Sequence, residues 1–157
     1  MIRAIAAMLA LVVSLTACGS SGTVSSSGVS GNRVTYTMLD SINELRAAAG
    51  VPAVQLNSQL TAAAATHARD MSVQNRPWHF GSDGSSPIDR VARTGYPGQM
   101  LGETISETFE SELETLAAWM AQKDTRDIIL DRRARNMGIS WYREANGKLW
   151  WALVMGS

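Results

Sequence analysis

The last twenty residues constrain the fold more than any other part of the chain. Leu149-Trp150-Trp151-Ala152-Leu153-Val154-Met155 is apolar at every position. A strand that is apolar on both faces must be covered on both faces. The run from Met137 to Arg143 precedes it, and Asn146-Gly147 lies between the two. Asn-Gly between apolar runs is a strong hairpin signal, because a tight turn needs positive φ at its centre. The expectation is a C-terminal hairpin at the centre of a small antiparallel sheet, with helices above and below. The fold class is therefore α+β, a three-layer α-β-α sandwich.

The helices come first in the chain. Met38, Ile42, Leu45 and Ala49 fall on one face of a helix over 36–49 that Gly50 ends. Pro52 forces the residue before it to be extended. Asn57 or Ser58 caps a second helix reaching about Gln74, with Leu60, Ala64, His67 and Met71 on its inner face. Residues 76–84 read as irregular. Ser86-Pro87 opens a short helix that Gly95 closes. A loop over 96–102 leads to a short strand, 103–106. Phe109, Leu113, Leu116, Ala117 and Met120 mark a further helix, and Asp124 or Thr125 caps another ending near Leu130.

The N-terminus reads as an address. Arg3 is the only charge in the first thirty residues, and the apolar run from Ala4 to Val13 is too short to span a bilayer. Leu15-Thr16-Ala17-Cys18 resembles a bacterial lipobox, which implies cleavage before Cys18 and its acylation. Cys18 is the single cysteine of the chain, so no internal disulfide or cysteine-built zinc site exists. Residues 18–33 are Gly/Ser-rich and read as a tether. The expected organisation is a signal peptide over 1–17, a tether over 18–33 bearing lipidated Cys18, and a folded domain over 34–157. Removing 1–17 leaves 13 basic residues against 14 acidic. That balance excludes a nucleic-acid partner, and it leaves membrane attachment to the acyl chains.

Several segments in order resemble the CAP superfamily, the SCP-like domain of cysteine-rich secretory proteins, antigen 5 and plant pathogenesis-related proteins, and most of all its disulfide-free bacterial branch. They are Ile42-Asn43-Glu44-Leu45-Arg46, the helix from Ala64 to Met71, Trp78-His79-Phe80, Asp83 to Pro87, and Arg90. Gly95-Tyr96, Gly102-Glu103-Thr104-Ile105, Ala118-Trp119-Met120, Gly138-Ile139 and the Trp-rich hairpin complete the set. The resemblance implies an α-β-α sandwich and a cleft with two histidines and two acidic residues. His79 matches the first histidine and Glu103 the signature glutamate. Thr125 stands at the place of the second histidine, and Thr104 replaces the usual asparagine. A divalent ion, zinc or magnesium, held by His79 and Glu103 would have to do without that second imidazole.

Each candidate has a plainer reading. His79 either faces Glu103 in the cleft or bonds loop backbone. Asp83 is a third cleft carboxylate or, more simply, part of a turn before a helix cap. Arg90 bridges loop and helix as a structural ion pair. His67, on an apolar helix face, reads as a hydrogen-bonded interior histidine. Trp78, Trp119, Trp141, Trp150 and Trp151 either line a groove or fill the core. No Gly-x-Ser-x-Gly elbow and no His-Glu-x-x-His occurs. Two functions follow. One is an envelope-associated module binding a lipid, a cell-wall component or a protein through a degenerate His/Glu cleft. The other is a metal-assisted or acid/base hydrolase using His79 and Glu103.

Overall fold

The computed structural model describes residues 26–157. The signal-peptide and lipobox readings, Cys18 included, lie outside the described residues. Nine elements follow in order: α1 (Ser26–Ala48), β1 (Gln55–Leu56), α2 (Ser58–Gln74), α3 (Pro87–Arg93), β2 (Met100–Glu107), α4 (Glu112–Ala121), α5 (Lys123–Ile129), β3 (Asn136–Arg143) and β4 (Leu149–Gly156). The strands form one sheet in the order β1-β3-β4-β2. β4 is central and every one of its residues is buried, as its two apolar faces require.

Alternation along β4 divides the core in two. Leu149, Trp151, Leu153 and Met155 pack with Met38 and Ile42 of α1, Leu116 and Trp119 of α4, and Ile129 of α5. Trp150, Ala152 and Val154 pack on the other side, with Leu60, Ala64, Ala68 and Met71 of α2 and Val91 of α3. The fold is therefore an α+β sandwich with the sheet between two helical layers.

Local chemistry accounts for the element ends. The Asn57 side chain accepts from Gln59 N and Leu60 N, which caps α2. Ser86 and Asp89 form a reciprocal capping box on α3, with Pro87 in the first turn. Gly147 takes φ +93° in the β3–β4 turn. Glu144, beside that turn, accepts from Trp150 Nε1 at 2.6 Å and from Ser72 Oγ at 2.9 Å, which pins the hairpin to α2.

Four expectations change. The sheet is mixed rather than antiparallel, because β1 pairs in parallel with β3; two residues are too few to show a period. α1 begins at Ser26, so 26–33, read as tether, continues the helix. Propagating a nucleated helix adds one bond per residue, which lets weak helix formers follow. Phe109 lies outside α4, which Ser111 caps, and the Phe109 carbonyl instead accepts from Trp151 Nε1 at 2.9 Å. Neither Asp124 nor Thr125 caps α5; Gln122 holds that position without a side-chain bond.

Gly138 of β3 sets how closely α2 approaches the sheet. A Cβ there would lie 2.1 Å from the Leu60 carbonyl carbon and 2.2 Å from Thr61 N. Backbone cannot give way as a side-chain tip can. Gly138→Ala is expected to destabilise the domain by roughly 3 kcal/mol, read from the urea midpoint at unchanged m-value. A loss below about 1 kcal/mol would show that α2 is free to shift.

Candidate functional site

Glu103 of β2 pairs with Val154 of β4, so its side chain points to the α2 side of the sheet. It is almost completely buried, and a bare carboxylate could not be left there. Arg90 of α3, also buried, supplies the counter-charge: its Nη2 donates to Glu103 Oε1 at 3.0 Å and to Oε2 at 2.9 Å. The same guanidinium donates to the carbonyls of His79 at 2.9 Å and Ser85 at 3.2 Å. The ion pair therefore also ties down the irregular 76–86 segment.

His79 does face Glu103. Its Nδ1 lies 2.9 Å from Glu103 Oε1. A carboxylate only accepts, so Nδ1 carries a proton; in the neutral ring Nε2 is then an acceptor. The ring is half exposed, with 50% of its side-chain surface open to solvent.

A second imidazole reaches the same oxygen from an element that the sequence did not point to. His67 Nε2 of α2 lies 3.6 Å from Glu103 Oε1. His67 is interior as expected, but neither ring nitrogen makes a well-formed hydrogen bond, although the Trp78 backbone lies close enough to favour its protonated form. Burial pushes its pKa below the usual imidazole value, and the Glu103 charge offsets part of that shift.

Thr125 does not join the group. Its hydroxyl donates to the Trp119 carbonyl and, at 3.3 Å, to that of Gln122. Asp83 takes the plainer role, accepting from Ser85 N at 2.9 Å and from Arg93 Nη1 at 2.7 Å. Trp119, Trp150 and Trp151 are core and Trp141 packs against it, whereas Trp78 is exposed. Trp78 and Phe80 flank His79 in the chain, with ring centroids 5.4 Å apart and Arg76 stacked on the indole. Trp78 Nε1 donates to Gln74 Oε1 at 2.7 Å, and the Gln74 amide donates to Asp70 at 2.9 Å. Asp70 in turn lines a cleft of about 320 Å³ between α2, the 82–85 turn and α3, which Arg90 also borders.

The residues present do not fit a bound divalent cation. Both Glu103 oxygens already accept from a guanidinium, whose positive charge repels a metal. Both imidazoles address one carboxylate oxygen rather than a common void. Among the described residues no group of three or more His, Cys, Asp or Glu side chains is arranged to hold a metal ion. The arrangement can hold His79 rigidly and present its Nε2 as a hydrogen-bond acceptor.

His67 gives the fold a pH dependence of definite sign. Its folded pKa lies below the ordinary imidazole value of 6.5. As pH falls through 6.5 the unfolded chain takes up a proton that the folded chain refuses, so stability falls with pH. The slope is at most about 1.4 kcal/mol per pH unit for one proton. Urea unfolding between pH 7.5 and 5.5 is expected to show it, and His67→Gln is expected to flatten it. An unchanged slope in His67→Gln would assign the effect elsewhere.

The sequence model described as the CAP, cysteine-rich secretory protein family matches residues 39–155. No curated protein sequence matches the chain. Among solved structures, an outer surface protein from Borrelia burgdorferi superposes with TM-score 0.73 at 13% identity, covering 80% of this chain and 92% of that one. An extracellular protein containing an SCP domain from Bacillus anthracis gives TM-score 0.73 at 20% identity, covering 80% of this chain and 41% of that one. A cysteine-rich secretory protein from Staphylococcus aureus gives TM-score 0.62 at 14% identity, with 80% and 39% covered. The chain thus spans less than half of the last two. Identities this low speak to the fold alone, but the family match runs through both Glu103 and His79. The chain belongs to the CAP, cysteine-rich secretory protein family.

Proposed function

We propose that this CAP-domain protein is an extracytoplasmic binding module, held at a bacterial membrane by an acylated Cys18 and working through the surface around His79. The observation that carries this reading is the commitment of Glu103. Arg90 occupies both of its oxygens and His79 shares one of them. A carboxylate so paired, with a side chain only 1% exposed, offers little to a ligand, a metal or a water. What remains accessible is a recognition surface: the outer edge of His79, the exposed Trp78 and Phe80, and the cleft bordered by Asp70 and Arg90. Exposed aromatic rings beside polar groups suit a ligand with both an apolar and a hydrogen-bonding side, such as a lipid, a cell-wall component or a protein.

The outer-surface and extracellular descriptions of the structural neighbours support an extracytoplasmic place. The sequence supports the anchor: a charged start, a short apolar run and Leu15-Thr16-Ala17-Cys18. In this organisation residues 1–17 are removed, the Gly/Ser-rich stretch after Cys18 spaces the domain from the bilayer, and 34–157 forms the CAP domain. No helix among the described residues is long and apolar enough to cross a membrane. Expression in a bacterial host is expected to place the protein in the membrane fraction, and Cys18→Ser to move it to the soluble extracytoplasmic fraction. A Cys18→Ser variant that stays with the membrane would remove the anchor.

One observation favours a second reading. A half-exposed imidazole oriented by a buried carboxylate is also how a general base is held, which fits an acid/base hydrolase of peptides or glycans with His79 as base and Glu103 as its orienter. Co-sedimentation with phospholipid vesicles and with purified cell-wall sacculi separates the two. Binding to one of them is expected to drop at least tenfold in Trp78→Ala/Phe80→Ala and to persist in His79→Ala and Glu103→Gln. Glutamine keeps the shape of Glu103 and one acceptor oxygen for Arg90, whereas alanine would leave the guanidinium with no acceptor there. Glycan or peptide turnover that disappears in His79→Ala would establish the hydrolase instead.

A further inference from the structure

We propose that Arg90 is a built-in cation: its guanidinium does for Glu103 and the loop carbonyls of His79 and Ser85 what a divalent metal would do, and its presence keeps a metal out. The family resemblance implies two histidines around an acidic centre. Here the second imidazole has not been lost with Thr125; His67 of α2 brings one to Glu103 from another direction. Nδ1 of His79 and Nε2 of His67 stand 2.9 and 3.6 Å from the same Oε1. Ligand atoms on a tetrahedral zinc, at about 2.0–2.1 Å from the metal, are separated by about 3.3 Å. The two observed separations bracket that value.

What the buried carboxylate needs is a counter-charge, and Arg90 supplies it. One Nη2 contacts both carboxylate oxygens and the His79 carbonyl. Nη1 reaches the Ser85 carbonyl. A bound metal would neutralise Glu103 and fix the loop in the same way. A guanidinium does so without dissociating and without responding to chelators or to pH. His67 fits this account from the other side. Its two unpartnered nitrogens mark a buried imidazole with no cation to coordinate, beside a carboxylate whose charge another group has taken. Of the neighbouring carboxylates, Asp83 pairs with Arg93, and Asp70, held by Ser82 and Gln74, acts on His67 only as a minor charge.

Thermal unfolding of the purified chain, freed of metal by chelator and then titrated with zinc chloride, tests the proposal. The wild-type melting temperature is expected to change with neither chelator nor zinc. Arg90→Met removes the charge and keeps the bulk. Its melting temperature is expected to start lower and to rise with zinc by on the order of 5–10 °C at a hundredfold excess over Kd. Adding His79→Ala to Arg90→Met is expected to abolish the rise. Arg90→Lys keeps a positive charge and is expected to stay silent to zinc. Should Arg90→Met fold only when zinc is supplied, the proposal is supported in its strongest form. It is overturned if wild type shows a saturable zinc shift that His79→Ala removes. It is equally overturned if Arg90→Lys responds to zinc as Arg90→Met does, or if Arg90→Met gains no stability or soluble yield from zinc.

Discussion

A carboxylate and a guanidinium, both withdrawn from water, hold this site together. Glu103 and Arg90 come from β2 and α3, and neither could be buried without the other. Burying two ions costs several kcal/mol each, and their attraction repays it only when further hydrogen bonds satisfy the remaining donors. Most of those bonds are present, with Arg90 Nε alone of its nitrogens left without a partner. Arg90 also holds the carbonyls of His79 and Ser85, and Glu103 also accepts from the His79 ring. The pair consequently does more than join two elements, because it gives the Pro/Gly-rich segment between α2 and α3 one conformation. Removing one partner leaves the other as an unpaired buried charge, a loss of about 3–5 kcal/mol. Alanine at either position therefore reports on folding before it reports on function.

The position of that pair follows from strand parity. Glu103 and Ile105 face α2, whereas Gly102, Thr104 and Ser106 face the layer of α1, α4 and α5. Two of these assignments leave a mark. A Cβ on Gly102 would stand 2.7 Å from Ile128 of α5, so only glycine lets that helix close on the sheet. Trp119 of α4 reaches across to donate to the Ile105 carbonyl at 3.2 Å. Thr125 belongs to that second layer, where its hydroxyl serves the carbonyls at the end of α4. With threonine in place of histidine, the α4–α5 junction contributes no imidazole to Glu103, and the centre is built from the α2–α3 side alone.

How legible this was differs from element to element, for physical reasons. The hairpin, α2 and α3 could be read because each is fixed by local chemistry: Asn146-Gly147, the Asn57 cap, and Ser86 with Pro87 and Asp89. β1 could not, since a two-residue strand has no period and exists only through its partner β3. Residues 26–33 could not either, because helix there depends on a nucleus further along the chain rather than on its own Gly and Ser. Within the site, the meeting of His79 and Glu103 came from the family resemblance, as nothing in their spacing of 24 residues brings them together. Arg90 was legible as an ion pair but not as the partner of Glu103. His67 shows the limit most clearly. An apolar stripe predicts that a residue is buried, and it says nothing of whether its polar atoms find partners. That depends on which residue of β2 lies opposite.

An arginine clamp and a metal centre differ in what they leave for a ligand. A catalytic metal keeps an open position, and its charge is the reactive feature of the site. Arg90 keeps none: the donors of its terminal nitrogens that reach protein end on Glu103, His79 and Ser85. The charge is spent on internal order. The groups left to address a partner are the exposed rings of Trp78 and Phe80, which touch each other beside the half-exposed His79 in the chain. Aromatic faces next to a hydrogen-bonding ring discriminate by shape and polarity, and groups that are already ordered lose little entropy on binding. Chemistry that depends on a developing charge would find only a guanidinium already neutralised by its own carboxylate. The same contact that stabilises the fold thus keeps both charges turned inward, on each other.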